Sequence, residues 1–561
     1  MDLKRPPIRC VLATLLVAAA CAPAPAPGLP PASRLAGVET YIHQAWSTLT
    51  RSNRDLPEAA RDSKVQHVAG TPWPVYVAAS EDVREIRERL RALLGEERFR
   101  TIDIRPLPPD PSSISQPGLL YLPNPYVVPG GRFNEMYGWD SYFIEVGLLL
   151  DCETDLARDI VDNFLYEVRR FGKVLNANRT YYLQRSQPPF LARMVLDLYD
   201  RTHDRDWLRA AVPAIESTYA FWTTEPHLVP GIGLSRYYAL GEGPAPEVVY
   251  GERDAQGRSH YDRVREYYRT HRVTAYDVGE YYDRANDRLT PLFYKGDRSV
   301  RESGFDPSNR FGPFGVDIIH YAPVGLNTLL YQMELDASSI ARILGDARGE
   351  ATWDGRARVR RERMDRYLWD EDAGLYFDYD VQARQRRRYE FATTFYPLWA
   401  GAASPEQAAR VHGNLGHFEA PGGILTSTQV TGSQWDAPFG WAPLQMIAVG
   451  GLRRYGYASD ADRIAAKFVS LVVEQFERTG TIVEKYDVVR RQSELGEQLR
   501  FGYRSNEVGF GWTNAAVLDL LAGLRGAETL APGREHAYVP GSEDRAGAAI
   551  EPVGPRLAGS Y

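Results

Sequence analysis

PGGRFNEMYGWDSYF, residues 129–143, runs directly into the apolar stretch IEVGLLL, residues 144–150. The Pro-Gly-Gly opening is a tight turn, because glycine reaches backbone angles that other residues avoid. Behind it stand Arg132, Phe133, Glu135, Tyr137, Trp139, Asp140 and Tyr142. The apolar run that follows reads as a helix entering a core. The stretch is therefore a polar, aromatic loop delivered to a cavity by the start of a helix. Such a wall suits a polyhydroxylated ligand, whose hydroxyls need charged and amide partners and whose ring faces stack on aromatic side chains.

Helical periodicity repeats along the chain. Helices are expected near residues 35–50, 81–94, 139–150, 156–171, 188–200, 205–223, 325–344, 352–367, 405–415, 442–455, 460–477 and 512–524. Strand alternation is scarce. The long connections hold the Gly, Pro, Trp and charged clusters. This pattern predicts an all-α helical toroid with long decorated loops and its function on one rim. Residues 52–118 and 243–298 read as insertions, and 531–561 as a disordered tail.

The net charge of −7, with no long basic run, excludes nucleic acid as a natural partner. No metal-ligand spacing, P-loop, Rossmann glycine pattern or GxSxG elbow is present, so neither metal nor cofactor is expected. Lys4, Arg5 and Arg9 precede an apolar run, residues 11–20, that ends at Cys21. This predicts a signal segment over 1–21, with Cys21 as a lipidation site like that of bacterial lipoproteins and an Ala/Pro-rich tether over 22–34. The expected location is periplasmic or on the outer membrane, with any membrane contact made through that lipid. Cys152, left alone in the body, reads as a small core residue.

Four further clusters resemble the first in chemistry: NANRTYYLQRSQPPF (176–190), RESGFDPSNRF (301–311), GSQWDAPFGWAPLQ (432–445) and TIVEKYDV (481–488) followed by GFGWTN (509–514). Each has a plainer reading. The arginines of 176–190 would pair with surface acids. Asp306 before Pro307 suits a turn, and Trp441 a buried helix start. Glu484, Lys485 and Asp487 would be a solvated charge cluster. Among groups able to do chemistry, carboxylates in aromatic, arginine-rich loops remain. Cleavage of a glycosidic bond by water needs two of them, one protonated and one basic.

Taken together, and in this order along the chain, the five clusters resemble trehalases over residues 35–527. Spellings such as VPGGRFNE, GLSRYY and RESG are closer to the neutral trehalases of fungi. The resemblance implies an (α/α)6 barrel, residues 35–530, that hydrolyses α,α-trehalose to two glucoses with inversion; the protein is expected to be a monomer. It places Asp306 as general acid and Glu484 as general base. It places Arg132, Phe133, Trp139, Asp140, Asn176, Arg185, Gln187, Arg236, Glu247, Glu302, Gly304 and Trp435 on the substrate. A related glycosidase for another small α-glucoside, or a trehalose-binding protein without turnover, are the alternatives. Two departures stand out. The lid stretch reads VRRQSELGEQLRFGYRSNEV (489–508), without a glycine run. GPAPEVVY (243–250) has Ala245 where an arginine is usual, and Arg236 or Arg298 is the expected substitute.

Overall fold

The computed structural model describes residues 29–249, 253–496 and 498–526. The signal and most of the tether expected over 1–34, and the tail over 531–561, therefore lie mostly or wholly outside the described residues. The helices of eight or more residues, with one shorter helix of the barrel, are α1 (Ala32–Leu49), α2 (Val83–Phe99), α3 (Gly138–Leu150), α4 (Thr154–Phe171) and α5 (Leu191–Thr202), then α6 (Arg205–Thr223), α7 (His260–Thr270), α8 (Pro291–Glu302), α9 (Val324–Leu344) and α10 (Ala347–Tyr367), and finally α11 (Tyr396–Trp399), α12 (Pro405–Gly413), α13 (Ala442–Arg454), α14 (Ala458–Thr479) and α15 (Gly511–Leu524). Asp204 caps α6 by accepting from the Trp207 amide at 3.0 Å, and Ser259 forms a capping box with Asp262 on α7. Gly172 and Gly480, both left-handed, end α4 and α14.

Six helices close an inner ring. α3 packs on α5, α5 on α9, α9 on α11, α11 on α13, α13 on α15, and α15 returns to α3. α4, α6, α10, α14 and α1 lie outside it. The burial pattern explains the sorting. Every residue of α3 from Gly138 to Leu149 is buried, whereas the long α10 buries only Trp353, Ala357, Arg360 and Met364. A helix buried on all sides belongs in the inner layer, and one with a single apolar stripe belongs outside. This is the (α/α)6 barrel. The aromatic-polar clusters at 129–137, 176–190, 432–441 and 481–510 precede α3, α5, α13 and α15, so the N-terminal ends of inner helices gather them on one rim.

Two features depart from the sequence reading, and a third adds to it. WPVYV forms β1 (Trp73–Val77), the middle strand of a parallel sheet between β2 (Ile102–Pro106) and β3 (Leu119–Leu120). Leu56, Val75, Val77, Ile86, Leu90 and Ile104 give this region a core of its own. It is short and buried on both faces, so it shows no alternation. Residues 260–293 and Phe314 build a second satellite core of Tyr261, Tyr268, Tyr281, Tyr282 and Phe293. Cys152 is exposed, in a left-handed turn just after α3, and is no core residue.

Candidate active site

A cavity opens on the decorated rim. Its lining includes Arg132, Phe133, Trp139, Asp140, Asn176, Arg185, Gln187, Glu247, Gly304, Asp306, Trp435 and Glu484. Twelve of the fourteen residues expected on the site thus meet in one place. Arg236 and Glu302 do not line it. Arg236 donates to the carbonyls of Pro226 and Ile319 at 2.9 Å. Glu302, fully buried, accepts from the amides of Ser186 at 3.1 Å and Tyr238 at 2.9 Å, tying two loops together behind the cavity. The reason is general: a buried carboxylate must find donors, and here the backbone supplies them.

The 129–137 turn is held from two sides. Glu135 accepts from Lys64 at 2.8 Å and from Arg179 at 2.8 Å, all three buried. Arg179 also donates to the carbonyls of Ala59, Ala60 and Arg61. Arg185, also buried, donates to Asn176 at 2.8 Å and to Glu247 at 2.5 Å. These arginines are therefore not surface partners; each organises a loop from inside. On the other side Gly131 faces Glu507. A Cβ at Gly131 would lie 2.0 Å from the Glu507 carboxylate, and φ there is +54°. The Arg132 amide donates to Glu507 at 2.8 Å. Of Glu507 and Glu497, the two glutamates of the 489–508 stretch that could stand in for a lid glutamate, only Glu507 is among the described residues.

Asp306 sits on the loop after α8. Arg301 donates to it at 3.0 Å, while Asp297 one turn earlier holds Arg301 at 3.1 Å. The Gln434 amide donates to the Asp306 carbonyl. Asp436 accepts from Ser308, the Asn309 amide, Tyr389, Ser427 and Thr431, which fixes the loop after the acid. The Asp306 side chain is 28% exposed, and it lines the cavity. Burial pushes its carboxyl up to about 6, against the pull of Arg301 and then Arg185.

Glu484 stands at the end of a strand pair. β4 (Phe439–Trp441) runs antiparallel to β5 (Lys485–Asp487), so the 432–445 and 481–488 clusters are one unit. Trp512 donates from its indole to the Glu484 carbonyl at 3.1 Å. Tyr503 donates to Glu484 Oε1, and Lys485 Nζ to Oε2 at 3.0 Å. The Lys485 ammonium also lies 3.7 Å from the centre of the Tyr503 ring. Glu484, Lys485 and Asp487 are all buried, so this is no solvated cluster. Burial raises the Glu484 carboxyl, opposed by Lys485 and then Tyr503. Asp140 is pushed well up, by burial first and then by the charges of Glu484 and Asp306.

Aromatic rings form the remaining walls. Trp139 packs against Phe305, Trp435 and Trp512. Trp435 stacks on Trp441 at 3.8 Å, and only Trp435 of that pair lines the cavity. Trp441, fully buried with its indole donating to the Gln434 carbonyl, is structural. Sequence reasoning missed Arg301, Tyr503, Lys64 and Arg263 as site residues; Arg301, Tyr503, Lys64 and Arg263 all line the cavity. The Asp297–Arg301 spacing of four on a helix was the available signal for Arg301. Neither Arg236 nor Arg298 reaches the cavity wall; Arg298 donates instead to the carbonyls of Gly243 and Pro244. No group of three or more His, Cys, Asp or Glu among the described residues is arranged to hold a metal ion.

Comparison with known proteins gives a consistent result. The family model described as Trehalase matches residues 36–524. A cytosolic neutral trehalase of Pyricularia oryzae is 42% identical over 70% of this chain and 58% of its own length. One of Emericella nidulans is 37% identical over 87% of this chain and 72% of its own length. The chain thus spans little more than half of the first of these relatives. In structure it is similar to neutral trehalase Nth1 from Saccharomyces cerevisiae, with a TM-score of 0.73 and 34% identity, covering 87% of this chain and 94% of that one. These relatives correct the expected export signal, the lipid on Cys21 and the periplasmic location, because they are named cytosolic enzymes. A basic start before ten apolar residues is too weak a pattern to decide location, since runs of that length also occur in buried helices.

Proposed function

The chain belongs to the trehalase family, and on that premise we propose that it hydrolyses α,α-trehalose to two glucose molecules with inversion at the attacked carbon. The observation that carries the reading is the unlike support of two carboxyls on one cavity. Burial holds Asp306 up to about 6, so below that pH it carries a proton to give. Glu484 has a donor on each oxygen, and these two donors oppose the burial that raises its carboxyl.

In this mechanism Asp306 protonates the oxygen between the two sugars as the carbon–oxygen bond breaks. Glu484 takes a proton from a water that attacks the same carbon from the opposite face. Each Glu484 oxygen keeps a lone pair free after accepting its present hydrogen bond. Inversion asks that the two carboxyls stand about 6.5–9.5 Å apart. Arg132, Trp139, Asp140, Asn176, Arg185, Gln187 and Glu247 bind the hydroxyls and ring faces.

Proton NMR of the purified protein with trehalose tests the proposal. The expected first products are one α-glucose and one β-glucose per turnover. No glucose would end the enzyme reading, and two α-glucoses would end inversion.

A further inference from the structure

His260 is the first residue of α7, set by the Ser259 capping box within the 243–298 stretch. It lines the same cavity as Asp306 and Glu484. It is 8% exposed, and among the described residues its Nε2 has no hydrogen-bond partner. Two neighbours on that wall share the feature: Arg185 Nη1 and Glu247 Oε2 also lack partners, although each residue is paired through its other atoms. A buried polar atom without a partner is costly and uncommon in a native fold. Three on one cavity wall make a donor, an acceptor and an imidazole nitrogen that await a ligand with several hydroxyls.

We infer that His260 binds a hydroxyl of the departing sugar unit, which makes α7 a specificity element of the site. The assignment rests on the proposed hydrolysis and follows from which side of the cavity His260 occupies. The charges acting on His260 are Asp297, Arg301 and Arg263. Tyr261, edge-packed on His260, donates to Asp297 at 2.8 Å, and Asp297 holds Arg301, the donor to Asp306. The groups supporting Glu484 are Lys485 and Tyr503, with Glu507 beside it. His260 therefore lies on the acid's side, and the acid protonates the oxygen of the unit that leaves. Burial pushes the imidazole down to about 3, so it is neutral and matches a hydroxyl that both gives and accepts. The ring edge-packs on Tyr261 and Phe314, which fixes where Nε2 points.

The test compares trehalose with α-D-glucosyl fluoride, which has no departing sugar. Water replaces its C–F bond with a C–O bond and releases fluoride and a proton. His260→Phe keeps the ring packing and removes the polar atom; His260→Gln restores one. The expected result for His260→Phe is a loss of about tenfold to thirtyfold in kcat/KM on trehalose, with activity on the fluoride close to wild type. His260→Gln should recover part of the trehalose activity, and it alone decides the matter if the Phe variant does not fold. Equal loss on both substrates, or no loss on trehalose, overturns the inference. Wild-type protein that leaves trehalose intact would instead overturn the hydrolase reading itself.

Discussion

Tyr503 donates its phenolic hydrogen to Oε1 of Glu484 from a loop that the chain reaches only after β5 has ended. The same ring lies under Arg132, whose guanidinium carbon is 4.2 Å from its centre. Tyr503 thus joins the 489–508 stretch, the 129–137 turn and the proposed base. Tyr503→Phe removes a hydrogen bond to the charged carboxylate, so the Glu484 pKa rises. A base must be unprotonated to act, so the acid limb of the kcat/KM profile should move to higher pH. The rate at its optimum should fall about tenfold. A profile whose acid limb stays in place would remove Tyr503 from this role.

Asp306→Asn and Glu484→Gln keep the shape of each side chain and remove the proton chemistry. Each should lower kcat by about 10²–10⁴-fold, while thermal unfolding stays near that of wild type. Steady-state rates with trehalose decide this. A rate close to wild type in either variant would refute the role given to that residue.

Arg301 bears on the other limb. Asp306 must be protonated to act, so activity should decline as pH rises through about 6. Arg301 is the largest influence holding that value down. Arg301→Gln should therefore move the alkaline limb to higher pH while lowering the rate, because the acid also loses an orienting partner. A shift to lower pH would contradict the assignment of Asp306 as the acid.

Gly131 has no room for a methyl group, since Glu507 occupies that space. Gly131→Ala adds strain at a positive φ and displaces the carboxylate that holds the Arg132 amide. A loss of about 1–3 kcal/mol in stability is expected, with at least a tenfold loss in kcat/KM. Gly70→Ala is the control, because φ is also positive there but nothing lies within 4 Å. It should cost about 1 kcal/mol and leave kcat/KM unchanged.

Glu145 is buried in the barrel wall, with neither carboxylate oxygen hydrogen-bonded to any described residue. Burial, and then Asp197, push its carboxyl well up. The sign is therefore that of a group held protonated by the fold. Its contribution is complete below the unfolded value of about 4.3 and is lost as pH climbs above it. Glu145→Gln abolishes the titration. The variant should gain stability over wild type as pH goes from 5 to 8, measured by thermal unfolding. A gap independent of pH would show that Glu145 is charged in the fold.

Much of the barrel was legible because its helices bury continuous apolar faces, and a face repeats locally in sequence. α6 is expected and found over residues 205–223, and α9 and α13 differ from expectation by a residue at an end. What escaped is non-local. WPVYV becomes a strand only because Ile102–Pro106 and Leu119–Leu120 flank it. Tyr503 reaches Glu484 across a loop without periodicity, so no spacing could announce it. Glu302 shares a motif with Asp306 yet serves two backbone amides. Residue type and spacing name the candidates for a site. The hydrogen-bond partners that separate a ligand contact from a strut appear only in the folded chain.

The ring is fastened by its ends. α1 packs on α15 and α14, and the ion pairs Glu39–Arg525 and Arg34–Glu477 cross that seam. A chain emerging from the ribosome can therefore fold its middle helices early but has no closed barrel until α15 is complete. The base and its supports are also made late, at residues 484–507. Any product of premature termination before α15 would present an open arc of apolar helix faces and no working site. Quality control in the cell would meet such fragments as exposed hydrophobic surface, not as weakened enzyme.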